Sequence, residues 1–134
     1  MARVRQRGTA LELAVGHSLR LLGASYRINV RELPGSPDFA NRTRKWAVFV
    51  HGCFWHHHAR CKRATVPKSN KKFWREKFEA NRARDKRAIL DLRRSGFRVA
   101  VIWECEIGDD DLIRAKLSEV LEPSGVSIRK AIDH

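Results

Sequence analysis

The sequence predicts an α/β fold, a small mixed sheet with helices on its faces, and three stretches carry that expectation. Residues 46–50, WAVFV, are apolar at every position, as a central strand covered on both sides requires. Residues 97–105, FRVAVIWEC, alternate, so that Phe97, Val99, Val101, Trp103 and Cys105 share one side of an extended chain. Between them, residues 69–96 show helical periodicity closed by Gly96.

The other elements follow in order. Thr9 and Glu12 stand at capping-box spacing. After them Leu11, Ala14, Val15, Leu19 and Leu22 recur at helical intervals and stop at Gly23. Tyr26 to Val30 reads as a strand, LPGSPDF (33–39) as a turn into a second short strand, and NRTR (41–44) as the next turn. After the long helix and the alternating strand, residues 109–121 make a final helix with acidic residues at its positive end. The expected order is α-β-β-β-α-β-α in one domain spanning 1–134, with a basic N-terminal segment (1–8) and a loose tail (123–134).

Charge narrows the partner. The chain has 28 Lys+Arg against 15 Asp+Glu, a net +13 on 134 residues, which points to a polyanion. The basic residues are spread along the whole chain rather than gathered on a separate amphipathic segment, which disfavours a membrane surface. No apolar stretch approaches the roughly 18 residues of a membrane span, and the basic N-terminus lacks the apolar core of a signal peptide. An odd count of three cysteines argues against a disulfide framework and fits a reduced, cytosolic chain with thiolates on a metal.

The chemistry is concentrated in VFVHGCFWHHHARC, residues 48–61. Cys53, His58 and Cys61 fall within nine residues, and Cys105 stands at the end of the last strand. Three thiolates and an imidazole are a common structural zinc set, although isolated cysteines also serve as small buried apolar residues. Spacing alone does not choose among His56, His57 and His58. On the long helix, Trp74, Phe78, Ile89 and Leu92 form one stripe with Asn81 and Asp85 in its middle. A carboxylate on that face needs a partner, either an arginine or a histidine from the 51–58 cluster. Finally, Asp38 follows Pro37 beside the end of the central strand, a place suited to Mg²⁺ near a phosphate, though Pro-Asp is also ordinary turn chemistry.

Taken together, GSPDF (35–39), FVHGCFWHHH (49–58), FWREKFEANRARD (73–85) and VIWEC (101–105) strongly resemble the very-short-patch repair endonucleases, the Vsr family. The resemblance runs from about Thr9 to Cys105. It implies a restriction-endonuclease-like mixed sheet with a structural zinc. The implied activity is a Mg²⁺-dependent nick in the T-containing strand beside T·G mismatches left by deamination of 5-methylcytosine. On this resemblance Asp38 is the metal-binding carboxylate, and Val50 adds its main-chain carbonyl to the Mg²⁺. His51 holds phosphate or a water at the metal. His56 is the general base or acid, with Asp85 hydrogen-bonded behind it, a role suited to an imidazole. Glu12 is an outer support of the site, a capping residue for Thr9, or both. Cys53, His58, Cys61 and Cys105 match the zinc set. HHHARC is one residue longer than the family spacing, so His57 remains an alternative ligand to His58.

The resemblance makes Phe54, Trp55 and Trp74 intercalating aromatics, with Lys77, Asn81 and Met1 at the mismatched bases. Unstacking a base step costs a few kcal/mol and stacking on an aromatic returns about 1–3 kcal/mol per base, so insertion favours an already weakened pair. The arm before Met1 is shorter than in the family, from which a relaxed sequence context is expected. Further expectations are a monomer in the bacterial cytoplasm at the nucleoid, a cytosine-5 DNA methyltransferase acting upstream, and MutL as a partner. Two rivals are a nuclease of the same fold acting on other modified or mismatched DNA, and a zinc-bearing DNA-binding module without catalysis.

Overall fold

The computed structural model describes residues 2–121, with the side chains of the first helix described from residue 10 onward. Met1 and the tail 123–134 lie outside the described residues. The elements are α1 (Ala2–Leu21), β1 (Arg27–Ile28), β2 (Phe39–Asn41), β3 (Trp46–His51), α2 (Lys71–Arg94), β4 (Arg98–Trp103) and α3 (Asp110–Leu121), with one 3-10 turn at Glu104–Glu106. The sheet order is β1-β2-β3-β4. β1, β2 and β3 are antiparallel neighbours, and β3 and β4 run parallel, joined by α2 as the crossover. The fold is α/β, a mixed sheet between helices of the restriction-endonuclease-like kind.

β3 explains why its sequence is apolar throughout. Trp46 and Val48 join Ala100 and Ile102 of β4 beneath α1 (Leu11, Val15, Leu19) and α3 (Ile113, Leu117, Val120). Ala47 and Phe49 face the other way, packing with Val30, Phe97 and α2 residues Ala88 and Leu92. With both faces buried, the alternation that marks a half-exposed strand is lost.

Three expectations are corrected. α1 begins at Ala2, so Thr9 lies inside the helix and does not cap it with Glu12; a cap must be non-helical, and the Val-Arg-Gln-Arg run before Thr9 contains good helix formers. β1 is only two residues long and exposed, because Asn29 takes a left-handed φ of 48° and ends it. β4 stops at Trp103, so Cys105 sits in the 3-10 turn rather than on the strand. Glu106 forms that turn: its carboxylate accepts the Trp103 N–H at 2.8 Å and is held by Lys116 Nζ at 2.6 Å.

The loop before β2 is fitted to α2. Gly35 has φ 74°, and a Cβ there would lie 2.7 Å from the Ala88 Cβ. Only glycine allows the loop to rest directly on the helix while the next residues deliver Asp38 to the carboxyl end of β3.

Candidate active site and metal centre

The end of β3 carries the site because β3 outruns β2: their pairing stops at Phe39 opposite Val48. Beyond that point the Val50 N–H donates to Asp38 Oδ2 at 2.7 Å. In an extended strand a residue's N–H and C=O point the same way, so the Val50 carbonyl also faces the Asp38 side, past the last sheet partner. Burial pushes the Asp38 carboxyl up to about 6, the Val50 hydrogen bond opposes this, and the charge of Glu12 adds to it. Glu12 is itself raised by burial and lies in a shallow depression on the far flank of Asp38, with Arg20 and Tyr26.

The opposite wall is imidazole and carboxylate. His51 is 5 % exposed, its ring stacked on His56 at 3.8 Å and edge-on to Trp103 at 5.0 Å. Its buried Nδ1 has no hydrogen-bond partner among the described residues. Burial pushes this imidazole down to about 4, and the neighbouring His56 pushes the same way. His56 Nδ1 meets Asp85 Oδ2 at 2.6 Å, across from α2. That bond places the proton on Nδ1 and leaves Nε2 as the free nitrogen. Burial works to raise the Asp85 carboxyl, but the hydrogen bond from His56 with the nearby imidazoles and Arg84 outweighs it and leaves it lowered. These groups line one open cleft of about 700 Å³, with Asp38, His51, His56, Arg84, Asp85 and Arg87 on its walls. The His51, His56 and Asp85 ligand atoms lie within 4.8 Å of one another.

A second cluster stands behind the first. Cys53, His58, Cys61 and Cys105 offer ligand atoms within 4.8 Å of one another and could hold a metal. His58 Nδ1 lies 3.7 Å from Cys53 Sγ and 3.5 Å from Cys105 Sγ. A zinc with sulfur at about 2.3 Å and nitrogen at about 2.0 Å has tetrahedral S···N edges of about 3.5 Å, so the donor set fits that ion. Burial pushes the Cys53 thiol up to about 12 and raises Cys105, while Cys61 is lowered, chiefly by a backbone hydrogen bond from Arg63. Of the three imidazoles that spacing left open, His58 is the one brought to the sulfurs, while His56 turns to Asp85. His57 takes a positive φ of 47° and stacks on Phe78 at 4.3 Å.

The aromatics sit beside the cleft rather than under the sheet. Phe54 packs edge-on against Trp55, Trp74 and Phe78 at 5.1, 5.8 and 5.2 Å. Trp55 is 39 % exposed, and Phe73, next to Trp74, is 56 % exposed. Asn81 Nδ2 donates to the Trp55 carbonyl at 3.0 Å, and Lys77 lies exposed on the same helix one turn earlier. One turn of α2 therefore grips successive residues of the loop: Asn81 the Trp55 main chain, Asp85 the His56 ring.

Two positioning residues escaped the sequence reading. Trp103 stacks on His58 at 3.9 Å while presenting its edge to His51, a wall shared by both clusters. Glu104 accepts the Cys53 N–H at 3.1 Å and approaches Arg63 at 3.7 Å, tying the loop to the end of β4. Both belong to the WEC triplet, but alternation marked Trp103 only as core and gave Glu104 no role.

A positively charged α/β chain whose central strand ends in a carboxylate and histidine cleft has the parts of a nuclease, and its relatives make it a DNA endonuclease. The family model described as "DNA mismatch endonuclease Vsr" matches residues 1–63. The chain is 44% identical over 124 residues to the type II nicking enzyme V.XorIIP of Xanthomonas oryzae pv. oryzae, covering 92% of this chain and 90% of that one. It is 39% identical over 123 residues to the DNA mismatch endonuclease Vsr of Escherichia coli, covering 91% and 78%. A third relative, the type II nicking enzyme V.NmeAIP of Neisseria meningitidis, is 36% identical over 121 residues, covering 90% and 86%. The chain belongs to the Vsr family. Among the described residues no helix is long and apolar enough to cross a membrane.

Proposed function

We propose that this endonuclease nicks the T-containing strand of duplex DNA beside a T·G mismatch, acting as a single domain over 1–134 and as a monomer. One observation carries the reading: the exposed Trp55 is followed directly by His56, whose ring faces the cleft, and α2 clamps both. Opening of a weak base pair by the aromatics Phe54, Trp55 and Trp74 then brings the adjoining phosphate toward His56. A T·G pair, already easier to unstack, is favoured over T·A for that reason. Lys77, Asn81 and Met1 are the residues for reading the mismatched bases. The names of the relatives, a mismatch endonuclease and nicking enzymes, agree with this.

His56 Nε2 accepts the proton of the attacking water. Asp85 keeps the ring in the required tautomer and stabilises the imidazolium that results. His51, buried and stacked beneath His56, fixes the plane of that ring and is the residue to hold phosphate or a water beside Asp38. Asp38 and the Val50 carbonyl are a hard-oxygen pair that fits Mg²⁺, with Glu12 supporting Asp38 from its far flank. Magnesium held there would supply positive charge against the phosphoryl oxygens. Cys53, His58, Cys61 and Cys105 would hold zinc as a clamp on the loop. One cleft on one chain cuts one strand. A relaxed flanking context, an upstream cytosine-5 DNA methyltransferase, MutL as partner and a nucleoid-associated place in the bacterial cytoplasm complete the proposal.

The test is a duplex with one T·G pair, the T strand end-labelled, incubated with Mg²⁺ beside the matched T·A duplex and the Asp38→Ala variant. A single nick next to T, missing from both controls, is expected. Equal cutting of T·G and T·A removes the mismatch reading. Tighter binding of T·G without cleavage leaves a mismatch reader only.

A further inference from the structure

The geometry points to Arg84 as a substrate-contacting residue, its guanidinium taking a nonbridging oxygen of a DNA phosphate on the α2 wall of the cleft. This rests on the reading that a phosphodiester is cut in that cleft.

Three observations converge on it. First, among the described residues the cleft lining holds three aspartates, Asp38, Asp85 and Asp91, and two arginines, Arg84 and Arg87, with no lysine. A polyanion entering past those carboxylates needs fixed positive charge, and an arginine stays charged at any working pH. Second, Arg84 is not locked in a salt bridge: among the described residues neither Arg84 nor Arg87 makes an ion pair, and Arg84 reaches the neighbouring Asp85 only through its longer-range charge. Third, among the described residues Arg84 alone of the two has a side-chain hydrogen bond that holds it in place. Its Nη2 donates to Asn81 Oδ1, a neutral acceptor that fixes its direction without cancelling its charge. The same Asn81 donates to the Trp55 carbonyl, so the guanidinium is aimed by the main chain of the aromatic loop. Arg84 also borders the shallow depression of Phe73 and Lys77, which puts it between the cleft and the aromatic face. A pre-aimed guanidinium outside any ion pair among the described residues, standing between those two surfaces, matches a phosphate oxygen with its forked donors.

The experiment uses the full chain and a duplex carrying one T·G pair, and reads two quantities separately. These are the slope of log affinity against log salt, and the single-turnover nicking rate with Mg²⁺. Arg84→Ala is expected to flatten the slope by about one unit, as loss of one phosphate contact does, and to slow nicking about 10–100-fold. Arg84→Lys restores the slope but only part of the rate, because an ammonium keeps the charge without the fork. Arg93→Ala, on the last turn of α2 and away from the cleft, nicks at the parental rate. An unchanged slope for Arg84→Ala overturns the assignment, even if the rate falls. If the unaltered protein nicks no T·G duplex while Arg84→Ala still flattens the slope, the T·G reading fails and the phosphate contact stands.

Discussion

Residues 51–61 send imidazoles to two neighbouring places. His58 turns toward Cys53, Cys61 and Cys105, while His51 and His56 turn toward Asp85 and the cleft that holds Asp38. In the sulfur cluster the donors face one another at the edge lengths of a tetrahedron, so a zinc held there would take all four ligands from the chain and keep no open position. The cleft is left unfinished. Among the described residues His51 keeps a buried nitrogen without a hydrogen-bond partner, and Asp38 is buried at a cost that the N–H of Val50 only partly offsets. Donors that close around one ion hold a loop in place. Groups left strained and open toward solvent have their partner arriving from outside. The difference separates architecture from chemistry within one short segment.

That separation can be broken from either side. On the cleft side, His56→Ala is expected to cut the nicking rate by about 10²–10⁴-fold, the usual worth of a positioned acid–base group. Its melting temperature should stay within a few degrees of the parent, because His56 is half-exposed. Asp85→Asn should cost a comparable factor, because an amide that donates to Nδ1 favours the tautomer with its proton on Nε2 and also removes the charge behind the ring. A large fall in melting temperature for His56→Ala would put the histidine among the structural groups instead.

On the sulfur side the effects are reversed. Cys61→Ser should lower the bound zinc measured by metal analysis and lower the melting temperature by roughly 5–10 °C, in line with a few kcal/mol on a small domain. Nicking at a temperature where the variant remains folded should fall by less than for His56→Ala. Equal stability with and without zinc would remove the clamp role.

Asp38→Asn sharpens the contrast, because it should damage function while helping the fold. The Asp38 carboxyl is raised from 3.8 to about 6, so its contribution to stability is full below 3.8 and is lost as pH rises through about 6. At neutral pH the metal-free protein therefore carries a buried charge that asparagine removes while keeping an acceptor for Val50. Chemical denaturation without metal should show a gain of about 1–2 kcal/mol, a discounted value for a group beside an open cleft. A loss of stability would show that the site is preorganised around the carboxylate.

The smallest effect concerns His51, whose shift has the opposite sign. Its imidazole is lowered from 6.5 to about 4, so its contribution is present above 6.5 and is lost as pH falls through about 4. Melting curves of the metal-free protein should lose stability on acidification across that window. The loss should be steeper in Asp38→Asn, where the opposing carboxyl is gone, and shallower in His51→Gln. Identical acid profiles for all three would remove the assignment.

The sequence by itself determined the order of elements, the central position of β3 and the pool of chemical groups. These follow from local periodicity and from residue types with few other uses, such as three cysteines and an unbroken apolar strand. It also marked Asp85 as out of place on an apolar helix face, because a carboxylate there demands a partner. Residue patterns did not identify that partner as His56, which only the family resemblance supplied, nor choose His58 over His57, nor give Glu104 and Arg84 any role. Those outcomes depend on where α2 lies across the loop and how β4 turns after Trp103. Tertiary packing alone decides such matters, because a hydrogen bond between residues 29 or 51 positions apart leaves no periodicity to read. The start of α1 and the shortness of β1 were misjudged for a related reason: local signals place the core of an element well, but its ends are set by what lies beside it.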